Sequence, residues 1–204
     1  MLRENKRSKQ VIRTRESNPI VYMDIFCSGG IKLPSGEVTV SKPIGRLYFE
    51  LRSDLVPVTC ANFLSLISGS RGVGFDGIKY SYKGTKIHRI CRDVLFEGGD
   101  LLGENGECSR SIYNNGGLFS DENYILRHCG PGVLSMCNQG PDTNGSLFQV
   151  IMTESPDMDG RYVVFGCTVG TESFDTLRAI NTYGSYWGEP TDNIIIKDCG
   201  VAYS

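Results

Sequence analysis

Hydrophobic residues in most of this chain come in short runs rather than helical stripes. Residues 20–26, 38–40, 44–51, 94–97, 133–136, 147–152, 162–169 and 194–202 are rich in β-branched and aromatic side chains, and Gly, Pro, Asn and Asp separate them. Such runs, punctuated by turn residues, predict strands, and their recurrence predicts a closed all-β domain. Two segments depart from the pattern. Over Pro57–Ser68 the apolar residues Cys60, Phe63 and Ile67 recur at helical spacing, with Pro57 suited to a first turn and Gly69 to a stop. Over residues 174–183, Phe174, Leu177 and Ile180 fall three apart, with Gly184 behind them. The expectation is an all-β barrel with two helices closing its ends.

Composition narrows this picture. With 204 residues, 40% of them hydrophobic, the chain can bury a core without disulfide staples. No apolar run is long enough to span a bilayer, and the N-terminus lacks the apolar stretch of a secretory signal. The eight cysteines include no C-x-x-C pair and read as reduced thiols of an intracellular protein, cytoplasmic or nuclear. The only histidines are His88 and His128, so neither a structural zinc site nor any other cofactor is expected.

The net charge of −2 is unevenly spread. Residues 1–19 hold six basic and two acidic side chains, a balance of +4, which leaves −6 for the rest. This segment reads as a disordered basic tail before a domain over residues 20–204, and it is the one place where a nucleic-acid contact is conceivable. Gly72-Val73-Gly74-Phe75-Asp76-Gly77 spells a dinucleotide-binding fingerprint, but a helix precedes it and no helical period follows, so that reading fails.

Several longer segments resemble the cyclophilins, a family of peptidyl-prolyl cis-trans isomerases. Ile87-His88-Arg89-Ile90, followed by Phe96-Glu97-Gly98-Gly99-Asp100, is similar to that family's FHRI…QGGD segment. The stretch from Asp121-Glu122-Asn123-Tyr124 through Gly130-Pro131-Gly132-Val133-Leu134-Ser135-Met136 is similar to DENF…GPGxLSM. Asn138-Gln139-Gly140-Pro141-Asp142-Thr143-Asn144-Gly145-Ser146, Asp159-Gly160-Arg161-Tyr162-Val163-Val164-Phe165-Gly166 and Ile196-Lys197-Asp198-Cys199-Gly200 continue the match in order. The resemblance implies a closed eight-stranded antiparallel β-barrel capped by an α-helix at each end, acting as a monomer on proline-containing peptide or protein clients.

It also implies a chemistry. Peptide-bond rotation costs ~18–20 kcal/mol because it breaks amide resonance. At the barrier the proline nitrogen regains a lone pair, so a fixed donor aimed at it binds the transition state better than the ground state. No nucleophile or metal is needed. In the family that donor is the arginine of the HR pair, here Arg89, beside His88. The peptide is gripped along the backbone at Asn138-Gln139-Gly140, and Cys137 and Gly106 are also expected to bind it.

The proline pocket departs from the family. Val94 and Leu95 replace phenylalanine and methionine, Glu97 replaces glutamine, and Asp157 stands beside Met158 where the groove tryptophan belongs. Leu147 and Gln149 reverse a polar–apolar order on one strand face, and Tyr162 replaces a histidine. Glu97 is expected to pair with Arg89 and restrain it, Glu107 on the rim of a second pocket points to basic peptides, and Asp157 implies weak or absent cyclosporin binding. Cys199 matches one cysteine of a redox pair found in divergent members, but Ser68 stands where its partner would be. Two readings follow: a slow or selective isomerase using Arg89, or a non-catalytic module that holds proline segments or scaffolds a complex.

Overall fold

The computed structural model describes residues 18–33, 36–102 and 105–203. The basic tail read from the sequence therefore lies largely outside the described residues. Asn18 and Pro19, assigned to it from sequence, are buried, and Asn18 donates to Glu50 at 3.2 Å.

Among the described residues, eight strands form one antiparallel sheet: β1 (Ile20–Leu33), β2 (Gly36–Leu51), β3 (Ile87–Cys91), β4 (Leu95–Gly98), β5 (Val133–Met136), β6 (Phe148–Ile151), β7 (Val164–Val169) and β8 (Ile194–Tyr203), in spatial order β3-β4-β6-β5-β7-β2-β1-β8. The sequence also pointed to eight runs, but two of them, 38–40 and 44–51, are one long strand. The strand it missed is β3. Its register with β4 shifts between Ile87 and Arg89, so His88 is an extra residue and the inward-facing Ile87 and Ile90 fall three apart. A bulge of this kind hides a strand from any search for strict alternation.

The barrel is not closed by a continuous ladder, contrary to expectation. β3 and β8 are the two edges of the sheet. They meet at an isolated Lys86–Ile195 bridge, supported by Ile196 N–H donating to Thr85 O at 2.9 Å and Gly84 N–H to Ile196 O at 2.7 Å. Further along, the edge of β3 is occupied by the chain before β8. Ile90 N–H donates to Gly188 O at 2.8 Å, Ser185 N–H to Ile90 O at 3.2 Å and Arg92 N–H to Ser185 O at 3.1 Å.

Helix α1 (Pro57–Ser68) starts on its proline and ends at Gly69 in the left-handed region, as the sequence indicates. It has no cap of its own. Glu122 supplies one from a distance, accepting from Val58 N–H at 3.0 Å and Thr59 N–H at 2.8 Å, where its charge also suits the helix dipole. Helix α2 (Thr171–Asn181) packs on β2, with Thr176 Oγ1 donating to Arg46 O at 3.1 Å. From α1, Phe63 reaches the centre of the core, 5.1 Å from the Tyr82 ring, 5.6 Å from Phe148 and 4.9 Å from Phe165. Asn62 beside it is wholly buried, donating to Gly145 O at 2.7 Å and accepting from Ile112 N–H at 2.9 Å, which ties the helix to the chain around residues 112 and 145.

Phe63→Ala should leave a cavity among three aromatic rings and lower the unfolding free energy by about 3–5 kcal/mol. A shift of that size in a urea titration, without a change in slope, checks it.

Candidate active site

Strand register aligns one row of polar side chains across the sheet. Arg89 on β3 faces Glu97 on β4, Glu97 faces Gln149 on β6, and Gln149 faces Ser135 on β5. The bulge at His88 turns two consecutive residues, His88 and Arg89, toward the same cavity.

That cavity holds about 450 Å³, and ten of the residues singled out from sequence line it: His88, Arg89, Glu97, Gly106, Cys137, Asn138, Gln139, Leu147, Gln149 and Tyr162. A second cavity of about 580 Å³ shares Cys137, Asn138, Gln139 and Leu147 with it and extends past Glu107 to Arg110, Asp76 and the 114–118 segment. The two form one bent groove around the 137–139 segment.

Arg89 Nη1 donates to Glu97 Oε1 at 3.0 Å, and half of the arginine side chain remains exposed. The Glu97 carboxylate raises the guanidinium's pKa further, against the effect of burial. His88 is mostly buried. Burial holds its pKa below the ordinary value, although Glu97 and Asp100 pull the other way. Its Nδ1 is buried without a hydrogen-bond partner. The loop over it is fixed by the buried Asp100, which accepts from Leu102, Gly106 and Glu107 N–H at 3.1, 2.9 and 3.1 Å. Gly106 has φ +85°, and a Cβ there would come 2.7 Å from His88 Nε2, so only glycine lets this loop lie on the imidazole.

Asn138 spends its side chain internally, donating to Arg161 O at 2.9 Å and accepting from Gly140 N–H at 3.3 Å. Its backbone N–H and C=O make no hydrogen bond with another described residue, so they remain available to an extended peptide in the groove. Cys137 is no nucleophile, because burial and then Glu97 push its thiol well above the ordinary range.

Beneath the groove the polar row continues inward. Gln149 Nε2 donates to Ser135 Oγ at 3.0 Å, Ser135 Oγ lies 3.1 Å from His128 Nε2, and His128 Nδ1 lies 3.0 Å from Asp159 Oδ1. Asp, His and Ser in this order resemble a hydrolytic triad. Ser135 is fully buried under Gln149 and His128 is 1% exposed, so no substrate can reach the hydroxyl. The chain instead fixes the rotamer of Gln149, the floor of the cavity.

Four expected residues do not line the cavity. Leu95 is buried in a separate apolar cluster with Val133, Ile151 and Val164, against which Met158 packs. Val94 is 44% exposed on the turn between β3 and β4, and Asp157 lies exposed on a short helical turn, Pro156–Met158. Of the expected apolar residues, Leu95 and Met158 pack in their own cluster rather than in the cavity. Among the described residues no group of His, Cys, Asp or Glu is placed to hold a metal, and no helix is long and apolar enough to cross a membrane.

The model of the family described as "Cyclophilin type peptidyl-prolyl cis-trans isomerase/CLD" matches residues 37–201. The chain belongs to that family.

Within this cyclophilin domain, sequence reasoning missed Asn105, Trp187, Gly188 and Glu189, which also line the Arg89 cavity. The last three come from the segment docked on β3. Gly188, at φ +93°, has no Cβ because one would come 2.9 Å from Arg89 Nε and 3.0 Å from Cys91 Sγ. The one available signal was the chain's only tryptophan, set between Gly184 and Gly188.

Because burial depresses the His88 pKa, the unfolded chain takes up a proton below about pH 6.5 that the folded chain resists. Stability should therefore fall as pH drops through that value. In His88→Gln the loss in unfolding free energy between pH 7 and pH 5 should be smaller, as read by urea denaturation at each pH.

Proposed function

We propose that this domain is a slow or selective peptidyl-prolyl cis-trans isomerase, with Arg89 as the donor to the proline nitrogen. The observation that carries the reading is the half-exposed Arg89 guanidinium, held at 3.0 Å by Glu97 in a groove beside the unbonded backbone of Asn138. A peptide laid along 137–139 would have its backbone gripped there and its proline over the Gln149 floor, next to a permanent cation.

Two features restrain the rate. Glu97 fixes the guanidinium but weakens its field at the nitrogen, and an exposed pair of this kind is worth ~0.2–1 kcal/mol. The floor is an amide rather than an aromatic ring, so it gains less from the proline methylenes, each worth about 0.8 kcal/mol when buried. The amide floor is also what favours the second reading, a module that binds proline segments without turning them over. In either case Asp157 offers no aromatic wall, and cyclosporin should bind weakly or not at all. Submicromolar binding by calorimetry would contradict this.

Exchange NMR on a panel of Xaa-Pro peptides separates the two readings. The enzyme predicts cis–trans exchange cross-peaks that vanish in Arg89→Ala and grow by up to about fivefold in Glu97→Gln, the ceiling set by removing about 1 kcal/mol of restraint. Saturable binding with no exchange would establish the module.

A further inference from the structure

Among the described residues, four carboxylates line the two cavities: Asp76, Glu97, Glu107 and Glu189. Two are neutralised, Asp76 by Arg110 and Glu97 by Arg89, each at 3.0 Å. Glu107 and Glu189 are exposed and have no ion-pair partner among the described residues. His88 is held neutral by burial at neutral pH. The groove therefore carries a surplus of negative charge, with Glu189 at the Arg89 end.

At that same end stands Trp187. Its side chain is 83% exposed and meets Tyr186 edge to face at 5.0 Å between centroids. The two rings together form an exposed aromatic patch beside the groove. Its position is not loose. The backbone on either side of it bonds to β3 through Ser185 and Gly188, Gly188 N–H donates to Ser185 Oγ at 3.0 Å, and the missing Cβ at Gly188 seats the turn against Arg89. The groove tryptophan expected beside Met158 is absent, and an aromatic wall comes instead from another segment.

An indole face with an unpaired carboxylate two residues on suits a cation: the ring quadrupole attracts it and the carboxylate pairs with it. The Arg89 guanidinium is already committed to Glu97, so it does not fill the place. We propose that Trp187 and Glu189 form a subsite for a lysine or arginine within two positions of the client proline. The domain's preferred substrates are then proline bonds flanked by basic residues. This assignment rests on the groove being the proline-binding site.

Trp187 is the only tryptophan, so its emission reports on this subsite alone. The experiment titrates the protein with one Ala-Pro peptide in three versions, carrying lysine, its uncharged isostere norleucine, or glutamate at each position flanking the proline. Emission and NMR shifts are followed together. The lysine version at one or more positions should bind about five- to tenfold more tightly than the norleucine version, with a saturable change in emission. Trp187→Ala and Glu189→Gln should each reduce that ratio toward one, and 0.5 M salt should weaken it. Equal affinity for lysine and norleucine overturns the inference, as does a lysine preference that survives both substitutions or binding with unchanged emission. Failure of the proline-site reading looks different: the lysine preference and emission change persist when the proline is replaced by alanine, and no Arg89-dependent exchange appears. If no peptide binds at all, both fall.

Discussion

Strand register is the constraint on which the candidate site depends. Arg89, Glu97, Gln149 and Ser135 come from four different strands and stand in one row only because β3, β4, β6 and β5 pair as they do. Side chains alternate with a period of two, so a slip of one residue in any of these ladders would turn a member of the row into the core. The core resists that slip. Phe96 and Phe148, neighbours of Glu97 and Gln149, are fully buried and could not be exchanged with them without bringing charge and amide among aromatic rings. The apolar face thus fixes the polar one.

The row also shows how a substitution can be absorbed without loss of fold. A glutamine at the floor of a pocket would carry an amide needing partners, and burial without them costs a few kcal/mol. Here one end of the amide is met by Ser135, which is met in turn by His128 and Asp159. On the far side, Leu95 packs with Val133, Ile151 and Val164, with Met158 against them, in a small cluster of their own. The floor of the groove is thus a polar side chain held in place, while this apolar cluster packs apart from it.

Much of this was legible in the sequence because long motifs carry both architecture and site. The 121–123 segment, among the most diagnostic by eye, turns out to be structural: Glu122 caps α1, and Asn123 donates to Leu55 O. Asp100 holds the loop over His88. Ten of the fourteen expected site residues share one cavity because they lie on strands or short connections whose spacing the motifs preserve. What sequence could not show was decided by long-range contact. The strand character of 87–91 was masked by the bulge at His88, and the sealing of Leu95 depends on residues from β5, β6 and β7. Trp187 lies about a hundred positions from Arg89, and only the hydrogen bonds between its segment and β3 bring them together.

That segment also accounts for the gap in the barrel. An edge strand presents unpaired N–H and C=O groups, and something must satisfy them. In a fully closed ring β8 would do so along the whole of β3. Here β8 meets only the approach to β3, and residues 184–188 satisfy Ile90 and Arg92 instead. A loop bonded to the strand that carries Arg89 must place its own side chains beside Arg89, whatever they are. The incomplete closure and the presence of Trp187 and Glu189 in the cavity are therefore one structural fact, and variation in this loop can alter the groove without disturbing a single ladder of the sheet.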